Sequence, residues 1–215
     1  MIVALSTGFY ANAQVTITPK IGLTISSVGY SEDVKDVSLR TSTQVGLAFD
    51  LGINSGFSIQ PELLYIQKGD KRTKQTKIGT ITSTTTEYLH INYLEIPVLA
   101  KMKFGNDNTE FYITAGPSLG IGMSADIRTV TSSSLIPSKS DTDKVKLGTD
   151  DDALFKRFDL GLQLGIGVVL RGFTFDVRYG NSIVNIFNDP DNDLDFKAYN
   201  RTLGISVGYA FLINK

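Results

Sequence analysis

Apolar and polar residues alternate with period two along most of the chain. Near Ile17–Val28, the residues Ile17, Pro19, Ile21, Leu23 and Ile25 share one parity, and Thr18, Lys20, Gly22, Thr24 and Ser26 share the other. Near Thr43–Ile53, Val45, Leu47, Phe49 and Leu51 oppose Gln44, Gly46, Ala48 and Asp50. Near Phe57–Lys68, Ile59, Leu63 and Tyr65 oppose Ser58, Gln60 and Glu62. The stretch near Tyr88–Phe104 sets Leu94, Ile96, Val98 and Met102 against Tyr93, Glu95, Lys101 and Lys103. The same alternation recurs near Phe111–Met123, Phe155–Leu170, Phe173–Ile183 and Arg201–Phe211, with Arg157, Asp159, Asp176 and Arg178 on polar faces. Period two is the geometry of a strand, which sends successive side chains to opposite faces. The pattern therefore predicts eight strands, each with one apolar and one polar face.

The connections between these stretches alternate as well. Asn54-Ser55-Gly56, Gly105–Asn108 and Arg171-Gly172 are short, with the Gly and Asn residues that hairpin turns require. The other connections, about Gly29–Ser42, Gly69–Glu87, Ser124–Leu154 and Val184–Asn200, are long and polar. Short turns at one end and long loops at the other are the mark of an outer-membrane barrel. Each strand is long enough for the roughly 9–11 residues that cross a bilayer. The expected fold is all-β: an eight-stranded antiparallel up-and-down transmembrane β-barrel with short periplasmic turns and long extracellular loops.

A soluble barrel hides its apolar face, whereas a membrane barrel turns it outward. Here the polar faces carry Lys20, Lys101, Lys103, Arg157 and Arg178 against Asp50, Glu62, Glu95, Asp159 and Asp176, five of each sign. Solvent would impose no such balance; enclosure would, because an unpaired buried charge is costly. These ten residues are expected to form a charge network inside the barrel. Phe57, Phe104, Phe111, Phe173 and Phe211 lie in apolar register beside a short turn or the C-terminus, as a periplasmic aromatic girdle would.

Composition agrees with this and narrows the function. The chain has 215 residues, 20 of them Gly, no Cys and a net charge of −1. Disulfides and thiolate metal sites are excluded, and the near-neutral charge argues against nucleic-acid binding. No apolar run reaches the roughly 18 residues of a transmembrane helix. Residues 1–13, ending Ala11-Asn12-Ala13, read as the remnant of a signal peptide, leaving 14–215 as the barrel.

The sequence shows no set of residues suited to catalysis, and no cofactor or metal is expected. The single histidine, His90, falls in outward parity with Asn92 and Leu94 near the extracellular rim, and no Ser-His-acid set converges along the sequence. Asp189–Asp195 has carboxylates at alternate positions but lacks the central Gly of a calcium loop. Lys71, Arg72, Lys74 and Lys77 make a basic stretch on the second long loop.

Several segments carry a family resemblance: Gly56-Phe57-Ser58-Ile59-Gln60-Pro61-Glu62-Leu63-Leu64-Tyr65 with Lys68-Gly69, then Tyr93-Leu94-Glu95-Ile96-Pro97, Ala115-Gly116-Pro117 and Phe158-Asp159-Leu160-Gly161. Arg178-Tyr179 and the closing Gly208-Tyr209-Ala210-Phe211 add to them. On these residues the chain resembles the Bacteroidetes outer-membrane β-barrel family, the porin-family or PorT-family proteins. It departs at the tail, where Leu212–Lys215 follow the terminal aromatic. The resemblance implies the fold and the bacterial outer membrane, and leaves the role open.

An eight-stranded barrel has an interior that side chains can fill. The expectation is therefore a non-enzymatic envelope protein without an open pore, structural or accessory in role. Its partners would be outer-membrane lipid and other envelope proteins met through loops or turns. The alternative is a narrow-pore transporter or ligand-binding barrel.

Overall fold

Thr, Val, Ile and aromatic residues at alternate positions suit a pleated strand. In the computed structural model they form one continuous antiparallel sheet. The structure describes residues 15–31, 37–106, 108–133, 137–189 and 196–213. Among these, eight long strands run in chain order: β1 (Val15–Tyr30), β3 (Arg40–Asn54), β4 (Phe57–Lys68), β6 (Ile81–Asn106), β7 (Thr109–Ser133), β9 (Phe158–Leu170), β10 (Phe173–Ser182) and β11 (Ala198–Tyr209). Four short ones are β2 (Val37–Ser38), β5 (Lys71–Ile78), β8 (Lys139–Val145) and β12 (Phe211–Leu212). Each long strand pairs with the next, and β1 pairs with both β3 and β11, which closes the ring. Closure removes the edges of the eight-strand ring, as a bilayer requires, and leaves edges at β2 and β8 in the extensions.

The ring is inside-out relative to a soluble barrel. Ile166 and Phe111 on the outer face are 61% and 58% exposed, whereas Glu62 on the inner face is 2% exposed. Such an apolar exterior is stable only against lipid. At the short-turn end, Arg171 and Gly172 both have positive φ, 50° and 90°, as a tight two-residue hairpin between right-twisted strands demands.

Three of the long connections differ from expectation: Gly29–Ser42 contains β2, which pairs with β5. Gly69–Glu87 and Ser124–Leu154 read as loops but contain β5 and β8 and the outer ends of β6 and β7. β5 pairs with β6 from Lys71–Tyr88 to Ile78–Ile81, and β8 pairs with β7. These extensions stand beyond the lipid band, so neither face need be apolar. Their Thr- and Ser-rich strands carry no period-two signal although Thr favours the strand conformation.

A β-bulge sits where β7 leaves the bilayer. Tyr93 is opposite Gly122 and Asn92 is opposite Ser124, so Met123 is the extra residue. A one-residue slip moves every later side chain to the other face. Beyond Met123, Ala125 therefore points inward, and Asp126 faces out beside His90, its Oδ2 3.1 Å from Nδ1.

Candidate functional site

The lumen is crossed by buried charge arranged in three groups from the short-turn end to the loop end. Nearest the turns, Asp50 on β3 meets Lys101 at 2.8 Å and Lys103 at 3.0 Å, both on β6. In the middle, Arg178 on β10 grips both oxygens of Glu62 on β4, with Nη1 2.7 Å and Nη2 2.9 Å away. Lys20 on β1 donates to Asp176 at 2.8 Å, where the Ser206 hydroxyl also donates at 2.7 Å. Gln60 Nε2 donates to Glu62 Oε1 at 2.6 Å. Toward the loops, Lys68 lies 2.8 Å from Glu95 and 3.2 Å from Asp159. Ser182 and Asn200 also donate to Asp159, at 2.6 and 2.9 Å.

Inward glycines make room for the larger groups. A Cβ on Gly167 would stand 2.3 Å from Tyr112 Cζ, and one on Gly165 would meet Thr114 Oγ1 at 2.7 Å. Tyr112 in turn lies beneath a cation, with Lys101 Nζ 4.3 Å from its ring centre. A void of about 20 Å³ remains beside Lys20, Glu95 and Arg178, enough for a single water.

Nine of the ten predicted interior residues lie in this belt: Lys20, Asp50, Glu62, Glu95, Lys101, Lys103, Asp159, Asp176 and Arg178. Arg157 is corrected. It is exposed, and its Nη2 donates to the Leu147 carbonyl at 3.4 Å. Its carbonyl still accepts from Gly122 N at 2.7 Å, but its side chain stands above the belt and turns to the loop carbonyl of Leu147 instead of a carboxylate. The cation that sequence reasoning missed is Lys68. The signal was available: Ser58, Gln60, Glu62, Leu64, Ile66 and Lys68 share one parity, but the two apolar residues interrupt the polar run. The exchange leaves five cations and five anions in the belt.

Above the belt the interior becomes apolar, which the alternation did not foretell. Val28, Ile66, Leu89, Ile91, Tyr93, Ala125 and Ala198 point inward and pack with Leu147, Phe155 and Ile186 from the connecting segments. Phe155, expected within the sixth strand, belongs to this plug instead. Belt and plug meet at Tyr93, whose ring centre lies 5.0 Å from Lys68 Nζ and whose hydroxyl accepts from Asn200 at 3.4 Å.

At the short-turn end Phe104, Phe111, Phe173 and Phe211 are exposed and Phe57 is half-buried. Tyr209 packs between Phe173 and Phe211, with ring centres 5.0 and 4.8 Å away. At the opposite rim, Asn92 donates to Ser124 at 2.8 Å beside the His90–Asp126 pair. Ser124 thus already has a partner two residues from the acid. Residues 1–13, and 190–195 of the acidic run, lie outside the described residues.

Solved structures of similar fold include the attachment invasion locus protein Ail of Yersinia pestis, solved in complex with the heparin analogue sucrose octasulfate. It is 15% identical, covers 92% of this chain and 99% of that chain, and has a TM-score of 0.41. Neisserial surface protein A is 12% identical, covering 94% and 98%, with a TM-score of 0.42. OprG of Pseudomonas aeruginosa is 14% identical, covering 94% and 97%, with a TM-score of 0.42. No curated protein matches the chain. The family model described as "Outer membrane protein beta-barrel domain" matches residues 10–188. With its lipid-facing apolar exterior and closed ring, the chain belongs to this family of outer-membrane β-barrel proteins.

Proposed function

We propose that this outer-membrane barrel is a closed scaffold, structural or accessory in the envelope, whose work is done by the crown of strands and loops that it holds outside the membrane. The observation that carries the reading is the Arg178–Glu62 pair, which joins strands four places apart in an eight-membered ring. A side-chain bridge across the full width of the lumen, with the apolar plug above it, leaves no water-filled path for a solute. Phe57, Phe104, Phe111, Phe173 and Phe211 fit a periplasmic aromatic girdle that fixes the barrel's depth. The motifs quoted above favour the PorT-like branch of such barrels, and a signal peptide at 1–13 fits export.

The test is reconstitution of the purified barrel into planar bilayers. The expected outcome is no discrete conductance step at neutral pH. Reproducible single-channel steps from the folded barrel would overturn the reading in favour of a narrow-pore transporter.

A further inference from the structure

Outside the bilayer, above the plug, a cavity of about 240 Å³ opens between Tyr30 and Arg72 on one side and Phe155, Phe187 and Phe196 on the other. Its walls come from the ends of β1 and β5 and from the segments flanking β9, β10 and β11, so only the closed ring assembles it. The rings form a continuous chain: Tyr30 stacks on Phe196 at 5.5 Å, Phe196 meets Phe187 edge-on at 4.9 Å, and Phe187 meets Phe155 edge-on at 6.4 Å. The plug beneath supports them through Leu89 and Ile127.

The polar side of the cavity is held in place from behind. Asp70 is 1% exposed and accepts from the Tyr30 hydroxyl at 2.5 Å and from Arg72 Nη2 at 3.3 Å. Arg72 Nη2 also donates to the Tyr30 oxygen, and the guanidinium lies 4.7 Å from the centre of the Tyr30 ring. Burial, and after it Asp70, push the Tyr30 phenol well above its ordinary range, so it remains a donor. Burial works against the charge on Arg72, but Asp70 and Tyr30 outweigh it and hold its pKa above the usual value. The Arg72 side chain is 37% exposed and lines the cavity, so it remains open to a ligand there. Glu87 on β6 adds a carboxylate to the wall.

We propose that this cavity is a binding site for one neutral sugar ring of an external glycan. The volume lies below the ~300–1,000 Å³ of sites for drug-sized ligands and suits a single ring. Phe187 and Phe196, both half-buried, offer apolar ring surface for the C–H face of a pyranose, while Arg72 and the Glu87 acceptor match its hydroxyls. The charges disfavour an anion: Asp70 already neutralises Arg72, and Glu87 leaves the wall net negative. A neutral polyol can use Glu87 as an acceptor and leave Arg72, which a cation would repel, in place over Tyr30. This site is compatible with the closed scaffold but does not depend on the lumen being shut.

The test uses the full barrel in detergent micelles with methyl glycosides of glucose, galactose, mannose and N-acetylglucosamine, read by saturation-transfer NMR. Benzoate and tetramethylammonium serve as the charged counter-probes. At least one glycoside is expected to bind, with affinity falling ~10-fold in Arg72→Met and in Phe187→Ala, the scale of one lost buried contact. Lys74→Ala, exposed on the β5 hairpin, should bind as the native chain does. Each variant is checked for the heat-dependent gel mobility of a folded barrel. No glycoside signal, preferential binding of benzoate or tetramethylammonium, or glycoside binding unchanged in both folded variants would each overturn the proposal. Conductance, measured separately, reports on the closed lumen and not on this cavity.

Discussion

Arg178 and Glu62 face each other from opposite walls of the barrel, joined by two hydrogen bonds of 2.7 and 2.9 Å although 116 residues separate them in the chain. Both side chains are almost fully buried, so each charge depends on the other. Removing one partner leaves an uncompensated charge in the lumen. Glu62→Gln or Arg178→Met should each destabilise the barrel by about 3–5 kcal/mol, while the double variant should recover much of that loss. Urea unfolding from vesicles, followed by gel mobility, measures this. Equal losses in single and double variants would show that the pair is not the coupled unit.

The two cations that sequence and structure assign differently make a second comparison. Lys68→Met strands Glu95 and Asp159 and should cost about 3 kcal/mol or more. Arg157→Met loses one long, half-buried bond to a backbone carbonyl and should fall within about 0.5 kcal/mol of the native chain. The same unfolding assay ranks them, and the reverse order would return Arg157 to the interior.

The lipid-facing surface can be probed by charge. Ile166 is outward and opposite Ile113 and Val177, in the apolar band. Ile166→Arg should destabilise by about 2–4 kcal/mol if it lies near the midplane, and by less the nearer it lies to an interface. Thr109→Arg, in the same parity as Phe111 and Ile113 but beside the short turn, should cost much less. A similar small cost for both would place Ile166 outside the hydrocarbon.

Gly167 is expected to resist any side chain. A Cβ there would stand 2.3 Å from the Tyr112 ring and 2.7 Å from the Phe175 carbonyl, so Gly167→Val should cost about 1–3 kcal/mol. Pairing it with Tyr112→Ala should relieve the part due to the ring. Melting by circular dichroism gives both numbers, and full additivity would mean that the ring is not what excludes the side chain.

The bulge at Met123 yields a prediction about the crown. Deleting Met123 would remove the extra residue and restore plain alternation in β7, with Gly122 inward, Ser124 outward, Ala125 inward and Asp126 outward as before. The variant is expected to insert and to keep the protection of the β7–β8 extension against protease, because the plug keeps its Ala125 and Ile127 contacts. Lost protection would show that the bulge itself, and not only the facing of the residues after it, holds the extension in place.

The sequence by itself determined the barrel and its orientation toward lipid. Period-two alternation is a local consequence of strand geometry, and inside–outside assignment follows once charge shares one parity with glycine, so both are written along the chain. The third strand, Phe57–Lys68, has the same limits in sequence and structure because Gly56 and Gly69 bracket it. Alternation could also have revealed Lys68. It could not reveal that Arg157 stands outside the belt, since Arg157 continues the parity and its carbonyl still accepts from Gly122 N.

Tertiary structure decided which charges meet, where the lumen turns apolar, and what stands outside the membrane. Partners such as Arg178 and Glu62 share no local pattern; ring closure and strand tilt bring them together. The plug joins Leu147, Phe155 and Ile186, which lie in segments without periodicity, to inward residues of five strands. The Thr-rich extensions gain their pairing from strands that already stand side by side. The cavity between Tyr30, Arg72 and three phenylalanines exists for the same reason: its residues are far apart along the chain, and a barrel is what makes them neighbours.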